Sequence, residues 1–304
     1  MAVGTRSAAA AAAAVGAIVL GVLTAPGALA APDAPAAPGA SAPIRPGVNT
    51  DTTGGGTCTT NFIFTGGGST FIGQAAHCAG TGSATEVDGC TSGTMPVGTP
   101  VTIFAADGSE RAGTLAYSSW VTMQDRGETD PDLCAYNDFA LVEIAAGDVA
   151  DVDSSIPFFG GPTGVRTTGP AIGEHVYSNG NSPLRMGIEL LNPKVGVAAG
   201  TVGGGRGHTV YTLSPGVPGD SGSGFVDDTG RAFGVLSTLN IAPLPASNGV
   251  ADLAAALAYA NSYGGVGTVE LVPGTRPFSA TPPGLTPLAL AAPAGPPVRA
   301  GDQA

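Results

Sequence analysis

The chain has one lysine, Lys194, and only 11 basic residues in all against 23 acidic ones, with no cluster of positive side chains. A chain without a basic patch is poorly suited to nucleic acid or to an anionic membrane surface. No Cys-x-x-Cys pair occurs among its four cysteines, and no loop carries the spaced carboxylates of a dedicated calcium site. Aromatic residues make up 6% of the chain. The one long apolar run, from about Ala8 to Leu23, is short and alanine-heavy for a membrane span. What is abundant is glycine, which separates many short alternating runs. That pattern describes a loop-rich, all-β chain with little helix.

The apolar run sits behind Arg6 and ends in Ala28-Leu29-Ala30, a small-residue cleavage signal preceded by the helix-breaking Pro26. Residues 1–30 are therefore expected to be a signal peptide removed after Ala30, with an uncleaved anchor as the competing reading. The expected product is secreted and extracellular, and four cysteines, an even number, suit an oxidising compartment. Residues 31–49 are rich in proline and alanine and hold too little apolar bulk to offset the entropy of ordering, so a disordered segment is expected. Residues 271–304 return to that composition and are expected to be a disordered tail. The domain then spans residues 50–270, enough for one large β domain or two fused barrels.

Within that domain Phe62 and Phe64 alternate toward Gly66-Gly67-Gly68-Ser69, and Thr70-Phe71-Ile72 follows, which spells a hairpin. Further strands are expected over 101–104, 111–116 and 139–144, with Asp107-Gly108 as the turn between the first two. In the second half they are expected over 173–178, 194–197, 208–213, 222–226 and 232–238. Near the end, Asn248 is placed to cap a helix running to about Asn261, with Asp252 in its first turn.

Three short contexts carry the chemistry: Ala75-Ala76-His77-Cys78, Asn137-Asp138-Phe139-Ala140-Leu141-Val142, and Gly219-Asp220-Ser221-Gly222-Ser223-Gly224. A serine hydroxyl is a poor nucleophile until a base takes its proton, and histidine titrates near working pH. His175 and His208 sit in or beside expected strands, whereas His77 has small neighbours that let another element approach. Asp138 heads an apolar run, unlike the nearby Asp130 and Asp132, and glycines on both sides of Ser221 permit a tight turn. These contexts, in the order His, Asp, Ser, resemble the chymotrypsin/trypsin-like serine peptidases over roughly residues 50–265. The resemblance implies two six-stranded antiparallel β-barrels with a C-terminal helix. It also implies Ser221 as nucleophile, His77 as general base, Asp138 as the orienting carboxylate, and an oxyanion hole from the amides of Gly219 and Ser221. An α/β-hydrolase would need the order Ser, Asp, His.

The same resemblance implies disulfides Cys58–Cys78 and Cys90–Cys134, with zinc ligation the alternative use of the thiols. It puts the floor of the substrate pocket at Pro215 and its walls at Ser237, Leu239 and Gly249. No carboxylate stands at that floor, so small or medium apolar side chains are expected, not Lys or Arg. Asp220 needs a cationic partner. No basic residue ahead of the domain is followed by an Ile-Gly or Val-Gly start, Arg45 being followed by Pro46, so the resemblance to the bacterial members makes Arg166 or Arg185 the expected partner. No cofactor or metal is expected. The expected enzyme is a monomeric endopeptidase acting on proteins or peptides, independent of nucleic acid and of the membrane once the signal is removed. A catalytically silent, peptidase-like binding or envelope-associated protein is the alternative.

Overall fold

The computed structural model describes residues 42–83, 85–240 and 245–281. The expected signal peptide and most of the expected tail lie outside these residues. Among the described residues no helix is long and apolar enough to cross a membrane.

In chain order the strands are β1 (Asn49–Thr52), β2 (Thr57–Thr59), β3 (Ile63–Gly66), β4 (Ser69–Gln74), β5 (Pro100–Phe104), β6 (Glu110–Ser118) and β7 (Ala140–Ile144). The second half supplies β8 (Gly164–Val165), β9 (His175–Asn179), β10 (Pro193–Val202), β11 (Gly207–Thr212), β12 (Gly224–Asp227), β13 (Arg231–Asn240), β14 (Ser247–Asp252) and β15 (Glu270–Leu271). Three α-helices accompany them: α1 (Ser119–Arg126), α2 (Pro131–Tyr136) and α3 (Leu253–Tyr263). The fold is mostly antiparallel β with a C-terminal helix, as expected, but its two lobes close differently. Strands β12, β9, β10, β11, β14 and β13 follow one another and β12 pairs again with β13, closing a six-stranded barrel. The first lobe is an eight-stranded sheet, β15-β3-β4-β7-β6-β5-β1-β2, whose end strands do not pair. It stays open because the chain bends away after β2: Thr60 N–H donates to the Val48 carbonyl and Asn61 N–H to the Gly73 carbonyl, so β2 and β3 form no ladder.

The hairpin between β3 and β4 turns on Gly67 (φ +57°) and Gly68 (φ +89°). Two successive left-handed residues fit the right-handed twist of the flanking strands. Alternating side chains fill the first sheet's core with Ile63, Ile72, Ile103, Leu115 and Val142, capped by Trp120 and Met123 of α1. The barrel interior holds Val176, Val210, Phe225, Phe233 and Val250. Between the lobes Phe62, Phe64, Tyr117 and Phe139 pack with Tyr177 and with Leu253 and Leu257 of α3.

The packed body extends past both ends of 50–270. Ile44 is fully buried, bonded to Asp151 and Asp153 backbone groups, and β1 begins at Asn49. At the other end β15 pairs with β3, and the chain then crosses the segment joining the lobes. The Pro273 carbonyl accepts from Ser154, Gly161 N–H donates to the Arg276 carbonyl, and Ser279 N–H donates to the Phe159 carbonyl. Phe278 lies edge-on to Tyr177 of β9. This strap, 270–279, reaches from the open sheet to the closed barrel. Proline-rich composition suggested disorder there, but one aromatic anchor and a set of long-range backbone bonds hold the segment.

The C-terminal helix starts four residues later than expected. Asn248 lies in β14, paired with β11 and β13, and the helix is capped by Asp252, whose Oδ1 accepts the Ala255 N–H at 2.7 Å. Strand pairing on both sides outweighs the weak strand preference of Ser-Asn-Gly.

Candidate active site

His77 sits on a single helical turn, Ala76–Ala79, directly after β4. Ala75, Ala76 and Ala79 are buried around it. Cys78 is bonded to Cys58 of β2, which fixes this turn against the edge of the first sheet. Asp138 lies between α2 and β7. The Pro131 helix start is capped by Asp130, and Cys134 on the same helix is bonded to Cys90. The buried Ser119 hydroxyl donates to the Asn137 carbonyl and accepts from Phe139 N–H, holding the backbone on either side of Asp138. All four cysteines are therefore in the two expected disulfides, which removes them as zinc ligands.

These two elements meet. His77 Nδ1 lies 2.6 Å from Asp138 Oδ2, and the His77 amide donates to Asp138 Oδ1 at 2.9 Å. Ser237 of β13 donates a third hydrogen bond to Asp138 Oδ2 at 2.6 Å. Burial alone would raise the Asp138 pKa, but the charge and bonds of His77 and the Ser237 hydroxyl outweigh it and hold the carboxyl below its ordinary value. Burial likewise opposes charge on His77, yet the Asp138 carboxylate prevails and raises the imidazole above its ordinary value.

Ser221 stands in a turn between Gly219 (φ +93°) and Gly222 (φ +87°). A side chain at Gly222 would place its Cβ 2.6 Å from the Thr59 carbonyl, so glycine is required on steric as well as conformational grounds. The turn is held from outside: Thr59 N–H donates to the Ser221 carbonyl, Thr59 Oγ1 to the Gly219 carbonyl, and Gly222 N–H to the Leu236 carbonyl. Among the described residues the amides of Gly219 and Ser221 donate to no protein acceptor. Two unengaged N–H groups in one turn form a ready anion-binding concavity.

His77 and Ser221 line one cleft of about 760 Å³. They make no hydrogen bond to each other, as is common in unliganded sites, where such contacts tighten on binding. One arm of the cleft runs along Gly216–Gly219 and Leu236–Leu239, and the other reaches Gly55–Cys58.

Asp220 is fully buried beneath the turn and is matched by two cations. Arg185 grips both carboxylate oxygens, and Lys194 Nζ lies 2.9 Å from Oδ2. The Ser182 and Val217 amides add two bonds of 3.0 Å each. Burial pushes the Asp220 pKa up, but the Arg185 bonds and the Lys194 charge overcome it and keep the carboxyl below its ordinary value. Burial is the stronger influence on Lys194 and lowers its pKa, with Asp220 acting against it. Of the two expected partners, then, Arg185 pairs with Asp220, while Arg166 pairs with Glu174 and Asp227.

No protein-family model matches this chain, and no curated protein does. Solved structures are similar in fold. A glutamic acid-specific serine protease matches with TM-score 0.46 and 18% identity over 75% of this chain and 100% of its own. Thermobifida fusca protease A matches with TM-score 0.42 and 19% identity over 76% and 99%. A Glu endopeptidase matches with TM-score 0.46 and 16% identity over 71% and 89%.

The pocket positions need two corrections. Pro215 lies off the cleft, where its carbonyl accepts from Lys194, and Gly216 takes the lining position. Gly249 pairs with Thr209 and Thr238 and does not line the cleft; Asn248 does. In β14 a slip of one residue exchanges the two faces, which is the size of the Gly249 error. Ser237 and Leu239 line the cleft, with Leu239 46% exposed at its rim. Sequence reasoning missed Lys194 as a partner of Asp220. The one available signal was its solitude: a lone lysine inside a run of strand residues.

Proposed function

We propose that this chain is a secreted serine endopeptidase that cleaves peptide bonds through an acyl-enzyme. The observation that carries the reading is the Ser237–Asp138–His77 chain of bonds opening on the same cleft as the Gly219–Gly222 turn with its two unengaged amides. With Nδ1 held by Asp138, the remaining His77 nitrogen is the base that takes the Ser221 proton during attack on a peptide carbonyl. The negative oxygen that forms is received by the Gly219 and Ser221 amides. The imidazolium, favoured by the Asp138 carboxylate, then gives its proton to the departing amine, and water repeats the sequence to release the acid. Arg185 and Lys194 hold Asp220 so that the turn keeps this shape before substrate arrives. The substrates are proteins or peptides, with a small or medium apolar residue at the acyl side. The disulfides fit an oxidising compartment, and with the apolar run ending in Ala28-Leu29-Ala30 they support export.

A catalytically silent binding protein is the second reading, favoured by the lack of a bond between His77 and Ser221. A serine-reactive fluorophosphonate separates the two. Stoichiometric labelling of Ser221 in folded protein, mapped by mass spectrometry and lost in His77→Ala, is the expected result. An unlabelled Ser221 refutes the peptidase.

A further inference from the structure

Asn248 lines the cleft one residue before Gly249, the expected wall position. In the β13–β14 ladder it lies opposite Leu239, and its side chain is 1% exposed although the residue lines the cleft. Its amide reaches both walls of one arm. Oδ1 accepts the Gly216 N–H at 2.7 Å, and Nδ2 donates to the Gly216 carbonyl at 3.3 Å and to the Thr238 carbonyl at 3.1 Å. A group bonded to both walls lies between them. The space at that level is full: a Cβ on Gly216 would come 2.9 Å from Asn248 Nδ2 and 2.7 Å from Leu236 Cδ2.

We propose that Asn248 is a specificity-determining residue, whose amide spans this arm of the cleft and restricts it to small, uncharged side chains of about alanine-to-valine size. The inference rests on the peptidase reading and adds to it a size limit and its cause. Chemistry excludes a selective role for charge. An amide has two N–H groups, and both are used on carbonyls of the walls, so Asn248 offers no donor to a substrate. Lys194 lies behind the same segment, but its three donors go to the Ser214 and Pro215 carbonyls and to Asp220. No cation is therefore presented for an acidic side chain. Along this arm the described residues, Gly216–Gly219, Leu236–Asn240 and Asn248, carry no carboxylate for a basic one. What remains is shape, and one misfit methylene in a hydrophobic pocket is worth about 10- to 200-fold.

The test is a set of peptides differing only at the residue on the acyl side of the scissile bond, assayed with the secreted full chain. The native protein is expected to show kcat/KM at least about tenfold higher for Ala or Val than for Phe or Leu. Asn248→Ala removes the bridge and is expected to raise the Phe-to-Ala ratio about tenfold or more; Asn248→Ser, which keeps a polar group on a shorter stem, falls between. Fluorophosphonate labelling of Ser221 counts competent molecules in each sample, so a poorly folded variant is normalised, and the native profile decides the matter if a variant does not fold at all. A native preference for Phe, Leu, Glu, Lys or Arg overturns the proposal, as does an unchanged ratio in fully labelled Asn248→Ala. Those outcomes leave the peptidase intact; an unlabelled native Ser221 removes both.

Discussion

The molecule contains two histidine–aspartate pairs built from similar parts, one at the cleft and one in the barrel. At the cleft, Asp138 holds His77 by Nδ1 at 2.6 Å, and 24% of the His77 side chain is exposed. In the barrel, Asp252 holds His208 by Nε2 at 2.9 Å, and that imidazole is wholly buried. The other His208 nitrogen lies 3.2 Å from Thr201 Oγ1, so both ring positions are occupied. Asp252 is also divided between two tasks, since its second oxygen caps α3. The distances alone do not separate the pairs. What separates them is the free nitrogen: His77 keeps one toward a cleft that also holds Ser221, whereas His208 is a strut tying β11 and β10 to the start of α3. On the proposed function, a short histidine–carboxylate contact serves as a base only when one ring nitrogen is left unengaged and a nucleophile and solvent share its space.

The same substitution at both pairs puts the contrast to its largest test. Asp138→Asn is expected to lower kcat by about 10⁴-fold with little change in melting temperature, because the imidazole loses its tautomer and its counter-charge. Asp252→Asn is expected to leave activity per folded molecule within about twofold and to cost about 1–2 kcal/mol in denaturant unfolding. Comparable activity losses at the two sites would erase the distinction.

A smaller effect asks whether the cleft pair depends on the turn facing it. Lys194→Met leaves Asp220 with a single cation in a buried site, at an expected cost of about 3–5 kcal/mol in stability. Activity of the remaining folded fraction should fall while the His77 titration, followed by imidazole NMR, stays in place. A displaced titration would mean that the two halves of the site are coupled.

The smallest effect lies in pH. The raised His77 pKa predicts an acid limb of kcat/KM with its midpoint above about 6.5. In Asp138→Asn the carboxylate charge is gone and burial alone acts, so the His77 titration moves below that value. Stability follows the same logic with both signs. The raised His77 contributes fully below about pH 6.5 and loses its contribution as pH rises through its folded pKa. The lowered Asp138 contributes above about pH 3.9 and is lost as pH falls through its folded pKa. The pair is thus worth most between those limits, and a denaturation midpoint that falls neither above nor below that window contradicts it.

Much of the site was legible because it is written locally. The small residues around His77, the glycines around Ser221 and the apolar run behind Asp138 each meet a steric or solvation need within a few residues. The glycine turn of the β3–β4 hairpin was legible for the same reason, and so was the barrel strand content. The misses involve partners distant in sequence. Lys194 reaches Asp220 only because β10 passes behind the serine turn, and Asn248 lines the cleft only because β11 and β13 draw Ser-Asn-Gly into a strand between them. Helix α1 was overlooked because its buried face is just Ser119, Trp120 and Met123, too brief to register as a period. The open first sheet follows from the bend after β2, which side-chain alternation does not encode.

The strap of residues 270–279 also bears on when the site can come into being. Ribosomes release a chain from its beginning, so both lobes, the serine turn and α3 are present before the strap emerges. Its bonds to Ser154, Gly161 and Phe159 and its contact with Tyr177 cannot form before then, and they join the open sheet, the inter-lobe segment and the closed barrel. The cleft lies between pieces that this late segment fastens from behind. A chain stopped just short of the strap carries every residue of the site without the bonds that join the open sheet, the inter-lobe segment and the closed barrel.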